Sequence, residues 1–349
     1  MALSLEKIER LAPDQASLAA AKKLLKPANW PTLEDNGEGL IWGECQGSGA
    51  TPYRIAVTES DAVDTVHAAL EAGMNLFDVA PAYAATRSER ILGAALAGVD
   101  RADYVLSTKA GKTTDENGVD HFDYSEDAIR RSVGESLERL GTDRLDIVHL
   151  HDFDYQGGRH VDKALAEGFP TLHALKSEGV IAAVGAGIYA MELWQRVLVE
   201  VDLDAIILHN HHTLCDMRAF ELLPSTDARG VGVINAAPFA SGLLTGRPAP
   251  DWHPAPEEAR ALFAEAAAFC LEHGVELPRL ALAFSSQEPR LPVTIFSCAD
   301  RATLRRNLAW ARESVDRLLV ARVQELLRPV MNRQWAYGGT EPGSLAATP

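Results

Sequence analysis

Asp78, Tyr83, Lys109 and His151 are the residues of this sequence whose types and places could do chemistry together. The apolar run 75–80 carries the Asp, and the Tyr follows it five positions on. The Lys and the His close two further strand-like runs, 105–109 and 147–151. Polar side chains placed where buried parallel strands stop are the sequence form of a barrel active site. A tyrosine at its ordinary pKa of about 10 is a poor proton donor at neutral pH. A lysine ammonium beside it favours the phenolate and lowers that pKa, and an aspartate holds the lysine. A histidine then fixes the carbonyl or hydroxyl that exchanges the proton. Such a set suits carbonyl/alcohol redox with the hydride carried by a nicotinamide.

The elements that must position these groups follow from periodicity. Helix-period segments alternate with short apolar runs from residue 61 onward. Helices are expected over 61–72, 88–97, 125–141, 170–177, 192–201, 217–223, 257–273 with 278–285, and 302–313. Strands are expected over 74–79, 104–108, 145–150, 181–186, 205–209, 231–236 and 293–296, with a first strand near 40–42. Ser125 stands where a helix cap belongs, with Glu126 and Asp127 in the first turn to complement the helix dipole. Eight βα units without a second compositional regime predict an α/β fold, one (β/α)8 TIM barrel over residues 39–335. Residues 1–38 form an N-terminal extension packing on it, 315–331 an extra C-terminal helix, and 336–349 a flexible tail rich in Gly and Pro.

These motifs resemble those of the aldo-keto reductases. Asp78-x-Ala80-x-x-Tyr83 is similar to that family's second-strand motif, and Ser88-Glu89-Arg90-x-Leu92-Gly93-x-x-Leu96 to the helix after it. Leu106-Ser107-Thr108-Lys109 resembles its lysine strand, and Glu135-Ser136-Leu137-x-Arg139-Leu140-Gly141-Thr142-Asp143 its third helix. Asp146-Ile147 through His151 is similar to its histidine strand, and Ala237-Pro238-Phe239-x-Ser241-Gly242-Leu243-Leu244-Thr245-Gly246 to its seventh strand and cofactor loop. The resemblance implies an NAD(P)-dependent enzyme with Asp78, Tyr83, Lys109 and His151 as its catalytic set. It implies cofactor contacts from His209, Ala237, Phe239, Ser241, Gly242, Ser297, Arg301 and Asn307. A glycine in that loop lets backbone approach a pyrophosphate; no G-x-G-x-x-G follows a strand, so a Rossmann domain is not indicated.

The sequence departs from the family at cofactor positions. Ala186-Gly187 stand where many members have Ser-Asn, His209 where a strand-6 amide is usual, and Ala236 where an aromatic often stacks on the nicotinamide. Ser297, Cys298 and Thr303 stand where NADP-using members carry cations, with Arg301 and Arg305 close by. The cofactor is therefore NAD or NADP, with NAD favoured. Within the family the chain resembles the sugar 1-dehydrogenase branch, through Leu222-Leu223-Pro224, His211-His212-Thr213-Leu214, the segment 250–255 and Arg328-Pro329-Val330 with Asn332 and Trp335. That branch oxidises the anomeric hydroxyl of aldoses such as L-galactose or fucose to a lactone, and Trp252 and Trp335 could stack on the sugar.

Three other readings stay open. The enzyme could work as a reductase on a non-sugar carbonyl such as pyridoxal. An NAD(P)-binding barrel could serve as an interaction protein. His149 and His151, facing one way along a strand, with His209, His211 and His212 could ligate a metal in a hydrolase; Lys109 would compete there as a cation, so no metal is expected. Composition bounds the rest. The chain has 349 residues, 47% of them hydrophobic, and a formal charge of −16 that disfavours nucleic acid or anionic membrane as partner. No apolar run is long enough to span a bilayer and no secretory signal is visible. Cys45, Cys215, Cys270 and Cys298 are scattered without metal or disulfide spacing, which suits a cytoplasmic protein. A small-molecule substrate is the partner expected, and a homo-oligomer is compatible with the sequence.

Overall fold

The computed structural model of the protein describes residues 32–35, 40–45, 53–298, 300–341 and 345, with side chains from residue 60 onward. Three strands come first: β1 (Thr32–Asp35), β2 (Leu40–Cys45) and β3 (Tyr53–Thr58) form an antiparallel sheet in that order. The run 40–42, expected to open the barrel, is the start of β2 and pairs with β1 and β3 on its two sides. Asn36-Gly37 between β1 and β2 is a hairpin sequence, and it favours reversal of the chain over a crossover. Of the expected N-terminal extension 1–38, residues 1–31 and 36–38 lie outside the described residues.

The barrel sheet follows. Helix α1 (Glu59–Glu71) leads to β4 (Leu76–Asp78), α2 (Arg87–Leu96) to β5 (Val105–Ala110), and the hairpin β6 (Lys112–Thr114) and β7 (Asp120–Phe122) rises from its end. Helix α3 (Glu126–Leu140) leads to β8 (Leu145–His151), α4 (Phe169–Ser177) to β9 (Ile181–Ile188), and α5 (Met191–Glu200) to β10 (Ala205–His209). Helix α6 (Ala219–Arg229) precedes β11 (Gly232–Ala236). Helices α7 (Glu257–Glu272) and α8 (Leu277–Ser286) precede β12 (Val293–Ile295), and α9 (Arg301–Ala311) and α10 (Arg317–Leu326) end the series. The sheet order is β12-β11-β10-β9-β8-β5-β4 and every neighbouring pair is parallel. Among the described residues the barrel-like sheet thus has seven parallel strands inside a layer of helices, the TIM-barrel class. Its strands read as unbroken apolar runs because both faces are covered.

Local chemistry explains the boundaries. Helix α3 buries Ala128, Ile129, Ser132, Val133, Ser136 and Leu140, the stripe of a helix packed on a sheet, and Gly141 ends it in a left-handed conformation. Ser125 occupies the N-cap position without a capping side-chain bond. Helix α6 runs past its expected end, through Pro224. Helix α9 is capped by Asp300, whose Oδ1 accepts from Thr303 N at 2.7 Å.

One buried ion pair fixes the strand that carries Lys109. Side chains alternate along β5, so the neighbouring Thr108 points away from the barrel interior. Thr108 Oγ1 donates to Glu89 Oε1 at 2.6 Å, and Arg139 Nε donates to Glu89 Oε2 at 2.6 Å. Glu89 is fully buried, so both carboxylate oxygens need these partners. The pair ties α2, α3 and β5 together and gives a physical reason for the Ser-Glu-Arg and Glu-Ser-Leu-x-Arg segments.

Residues 336–341, the first part of the expected tail 336–349, make hydrogen bonds to the rest of the chain. Gln156 N donates to the Gly338 carbonyl at 2.8 Å, and Thr340 Oγ1 donates to the Asp154 carbonyl at 2.7 Å. Tyr337 and Thr340 are buried, so this stretch is held against the loop that follows β8.

Candidate active site

Asp78, Lys109 and His151 sit at or next to the ends of β4, β5 and β8, three neighbours in the sheet. Lys109 Nζ donates to Asp78 Oδ2 at 2.6 Å and to the Val79 carbonyl at 2.8 Å, while Ser107 Oγ donates to Asp78 Oδ1 at 2.7 Å. Burial works to lower the Lys109 pKa, but Asp78 and then Tyr83 outweigh it and hold the ammonium above the usual lysine range.

Tyr83 lies in the turn after β4, where Ala84, Ala85 and Thr86 all adopt positive φ. Its ring centroid is 4.7 Å from Lys109 Nζ and 5.9 Å from the His151 ring, edge-on to it. The residue is 40% exposed, so a substrate can reach it. Its pKa is raised: desolvation by the surrounding side chains is the largest cause, and Lys109 opposes it. Lys109 therefore acts in the expected direction, but burial overrides it in the free protein.

His151 is anchored through its backbone, since Tyr124 Oη donates to the His151 carbonyl at 2.6 Å. Burial brings its ring down to about 4, so it is neutral at pH 7. His149 lies one layer deeper, between Lys109 and Gly185 in register. A Cβ on Gly185 would come within 2.1 Å of His149 Nδ1, so the glycine gives the imidazole its room. Burial pushes His149 down to about 3. His211 Nε2 bonds the Tyr189 carbonyl at 2.8 Å and His212 stacks on Phe284. Among the described residues no three His, Cys, Asp or Glu side chains converge as a metal site.

The next strand ends form a second cluster. Asn210 Nδ2 donates to Ser241 Oγ at 2.8 Å, and His209 Nε2 lies 3.4 Å from the same oxygen. Asn210 Oδ1 is buried without a hydrogen-bond partner. Ala237, Ala240 and Ser241 adopt positive φ, an uncommon state for residues with a Cβ, and Gly242 follows at 103°. This kinked loop and the unsatisfied amide oxygen fit a group that accepts from backbone N–H and donates to an amide, as a dinucleotide with a carboxamide does. Phe239 is half-buried against the neighbouring apolar cluster. Ser297 is exposed before α9, Arg301 is exposed with its guanidinium 3.5 Å from Asp64, and Asn307 is buried on the inner face of α9.

The two tryptophans part company. Trp252 is 47% exposed, whereas Trp335 is buried. Trp335 stands edge-on to His253 at 5.6 Å with the Arg333 guanidinium over its ring, and its backbone N–H donates to Tyr189 Oη at 2.8 Å. Packing engages its ring, so stacking on a sugar is left to Trp252. The sequence reading missed Lys112, Asp152, Asn210 and Tyr337. The acidic Asp152-Phe153-Asp154 stretch directly after His151 was the available signal for one of them; Tyr337 reaches His253 at 2.6 Å across more than eighty residues, and no local pattern encodes that.

The aldo/keto reductase family model matches residues 45–328. L-galactose dehydrogenase of Arabidopsis thaliana is 34% identical over 304 residues, covering 84% of this chain and 93% of that protein. D-threo-aldose 1-dehydrogenase of a Pseudomonas species is 33% identical over 296 residues, covering 77% and 89%. The holo form of an aldo-keto reductase from Bacillus halodurans has the same fold, with a TM-score of 0.64, 24% identity, and coverage of 80% of this chain and 91% of that one. The chain belongs to the aldo/keto reductase family. It is an NAD(P)-dependent oxidoreductase, and no helix among the described residues is long and apolar enough to cross a membrane.

The buried histidines make stability depend on pH. His151, His209, His212 and His253 are brought by burial to about 4 and His149 to about 3. Unfolded, each would titrate near about 6.5. Between these values the unfolded chain binds more protons, so stability present above about pH 6.5 is lost as pH falls toward 4. Asp154 runs the other way: burial and then Asp152 raise it to about 7, so its proton favours the folded state in the same window. Five groups against one leave a net loss. The urea midpoint should fall clearly from pH 7 to pH 5, and an unchanged midpoint would contradict the burial of neutral imidazoles.

Proposed function

We propose that the protein is an aldose 1-dehydrogenase of L-galactose or fucose type, with Tyr83 exchanging the proton at the anomeric oxygen. The observation that carries this is the placement of Tyr83 over the Lys109–Asp78 pair and beside neutral His151. The nicotinamide, when bound, supplies the hydride acceptor or donor. Lys109 stabilises the phenolate as the Tyr83 proton moves, Asp78 keeps the ammonium in place, and His151 donates to the substrate oxygen and orients it. His209, Asn210, Ser241 and the 237–242 loop would hold the cofactor's carboxamide and pyrophosphate ends. Trp252 would offer its open ring to a pyranose face. The names of the similar proteins, which act on L-galactose and D-threo-aldose, favour a sugar over the alternative, a non-sugar carbonyl such as that of pyridoxal in a 29% identical dehydrogenase.

Tyr83→Phe should bind cofactor as the wild type does and lose on the order of a thousandfold in turnover of L-galactose or fucose. A variant retaining a tenth of wild-type kcat would overturn the assignment.

Cofactor choice follows from charge. A 2′-phosphate carries close to two negative charges and is best held by an arginine fork. Arg301 is engaged by Asp64, and Asp300 puts a carboxylate at the N-terminus of α9. NAD should give the higher kcat/KM. Asp300→Asn, which keeps a capping side chain, should improve NADP more than NAD. A tenfold preference of the wild type for NADP would refute this reading.

A further inference from the structure

Asp152 is an acidic side chain set against the reacting groups that the chemistry above leaves without a task. It directly follows His151 and adopts φ 51°, a left-handed conformation that is unfavourable for a residue with a Cβ. Its N–H is fixed on the Gly187 carbonyl at 2.9 Å. Its Oδ2 lies 3.6 Å from His151 Nε2. Lys112 on β6 locks it there: Nζ donates to Asp152 Oδ2 at 2.9 Å, lies 3.1 Å from Asp120 Oδ2, and sits over the ring of Tyr155 at 4.7 Å. Both Asp152 and Lys112 side chains are mostly buried. A surface ion pair needs no strained backbone and no aromatic floor.

We propose that Asp152, held by Lys112, is a specificity-determining residue that accepts a hydrogen bond from the substrate hydroxyl on the carbon next to the reacting one. In the reading above His151 donates to the reacting oxygen, and an acceptor 3.6 Å from its Nε2 is placed for an oxygen one carbon further along the chain. A carboxylate accepts and cannot donate, so it rewards a hydroxyl there and loses that hydrogen bond when a hydrogen replaces it, keeping only Lys112. Burial opposes ionisation of Asp152, but the Lys112 ammonium at 2.9 Å favours the carboxylate and its pKa lies below the ordinary value. A pocket group placed to hydrogen-bond a substrate hydroxyl selects against the analogue that lacks it.

The inference rests on the sugar reading, because polyhydroxylated substrates carry a hydroxyl at that place. Its test does not need a sugar. Reduction of each enantiomer of lactaldehyde and of propanal, which lacks only the 2-hydroxyl, is followed with NADH and NADPH in the wild type, Asp152→Asn and Lys112→Met. In the wild type kcat/KM for the better lactaldehyde enantiomer should exceed that for propanal at least thirtyfold. In Asp152→Asn this ratio should fall tenfold or more, and Lys112→Met should lower it in the same direction. Should Asp152→Asn fold poorly, the ratio in Lys112→Met still decides. A ratio unchanged in both variants while both substrates slow together would assign Asp152 to orienting His151 and overturn the proposal. A wild-type ratio near one would overturn it as well. If aldoses fail to turn over while the lactaldehyde ratio behaves as stated, the sugar reading falls and this one stands.

Discussion

The buried pair of Lys109 and Asp78 is the interaction on which the rest of the site depends. Taking an ammonium and a carboxylate out of water is expensive, and their mutual attraction compensates only when the geometry is close and the remaining polar atoms find partners. Both conditions are met: the contact is 2.6 Å, Ser107 serves the second carboxylate oxygen, and the Val79 carbonyl accepts from the ammonium. The register of β4 on β5 pairs Asp78 with Ser107, which leaves Lys109 two residues further along the same face. A slip of one residue would turn Lys109 into the helix layer and Thr108 into the barrel. The Glu89–Arg139 pair on the outer side of β5 acts against that slip.

With the ammonium fixed, the other groups acquire their roles through burial. Tyr83 meets a cation that opposes the rise in its pKa, and His151 is neutral and able to donate to a substrate oxygen. Asp152 stays charged beside them because Lys112 accompanies it. Charged and neutral groups thus stand within one pocket in protonation states set by their partners, the arrangement by which one site can run acid–base chemistry near neutrality.

Much of this could be read along the chain. The grouping of Asp78, Tyr83, Lys109 and His151, the strand endings and the barrel class were legible because each rests on local signals: apolar runs of strand length, glycine stops, and polar residues at strand ends. Strand 205–209 coincides with β10, and most other elements shift by one to three residues. The failures have physical causes as well. The run 40–42 is apolar enough for either kind of sheet, and only pairing decides. The hairpin β6–β7 has short strands whose alternation is masked by charged residues. Trp335 and Tyr337 are placed by contacts with Tyr189 and His253 far away in sequence. Lys112 carried no local sign that it would meet Asp152, since forty residues separate them.

The central claim is that Lys109 works through Tyr83 and not independently of it. A double-mutant cycle of Tyr83→Phe and Lys109→Met, read as the single-turnover rate of nicotinamide absorbance change with saturating cofactor and aldose, tests this most directly. If the ammonium serves to tune the phenol, its loss matters little once the hydroxyl is gone, and the double variant should be within about threefold of Tyr83→Phe alone. Losses that multiply in the double variant would show that the two residues act separately, and would contradict the account.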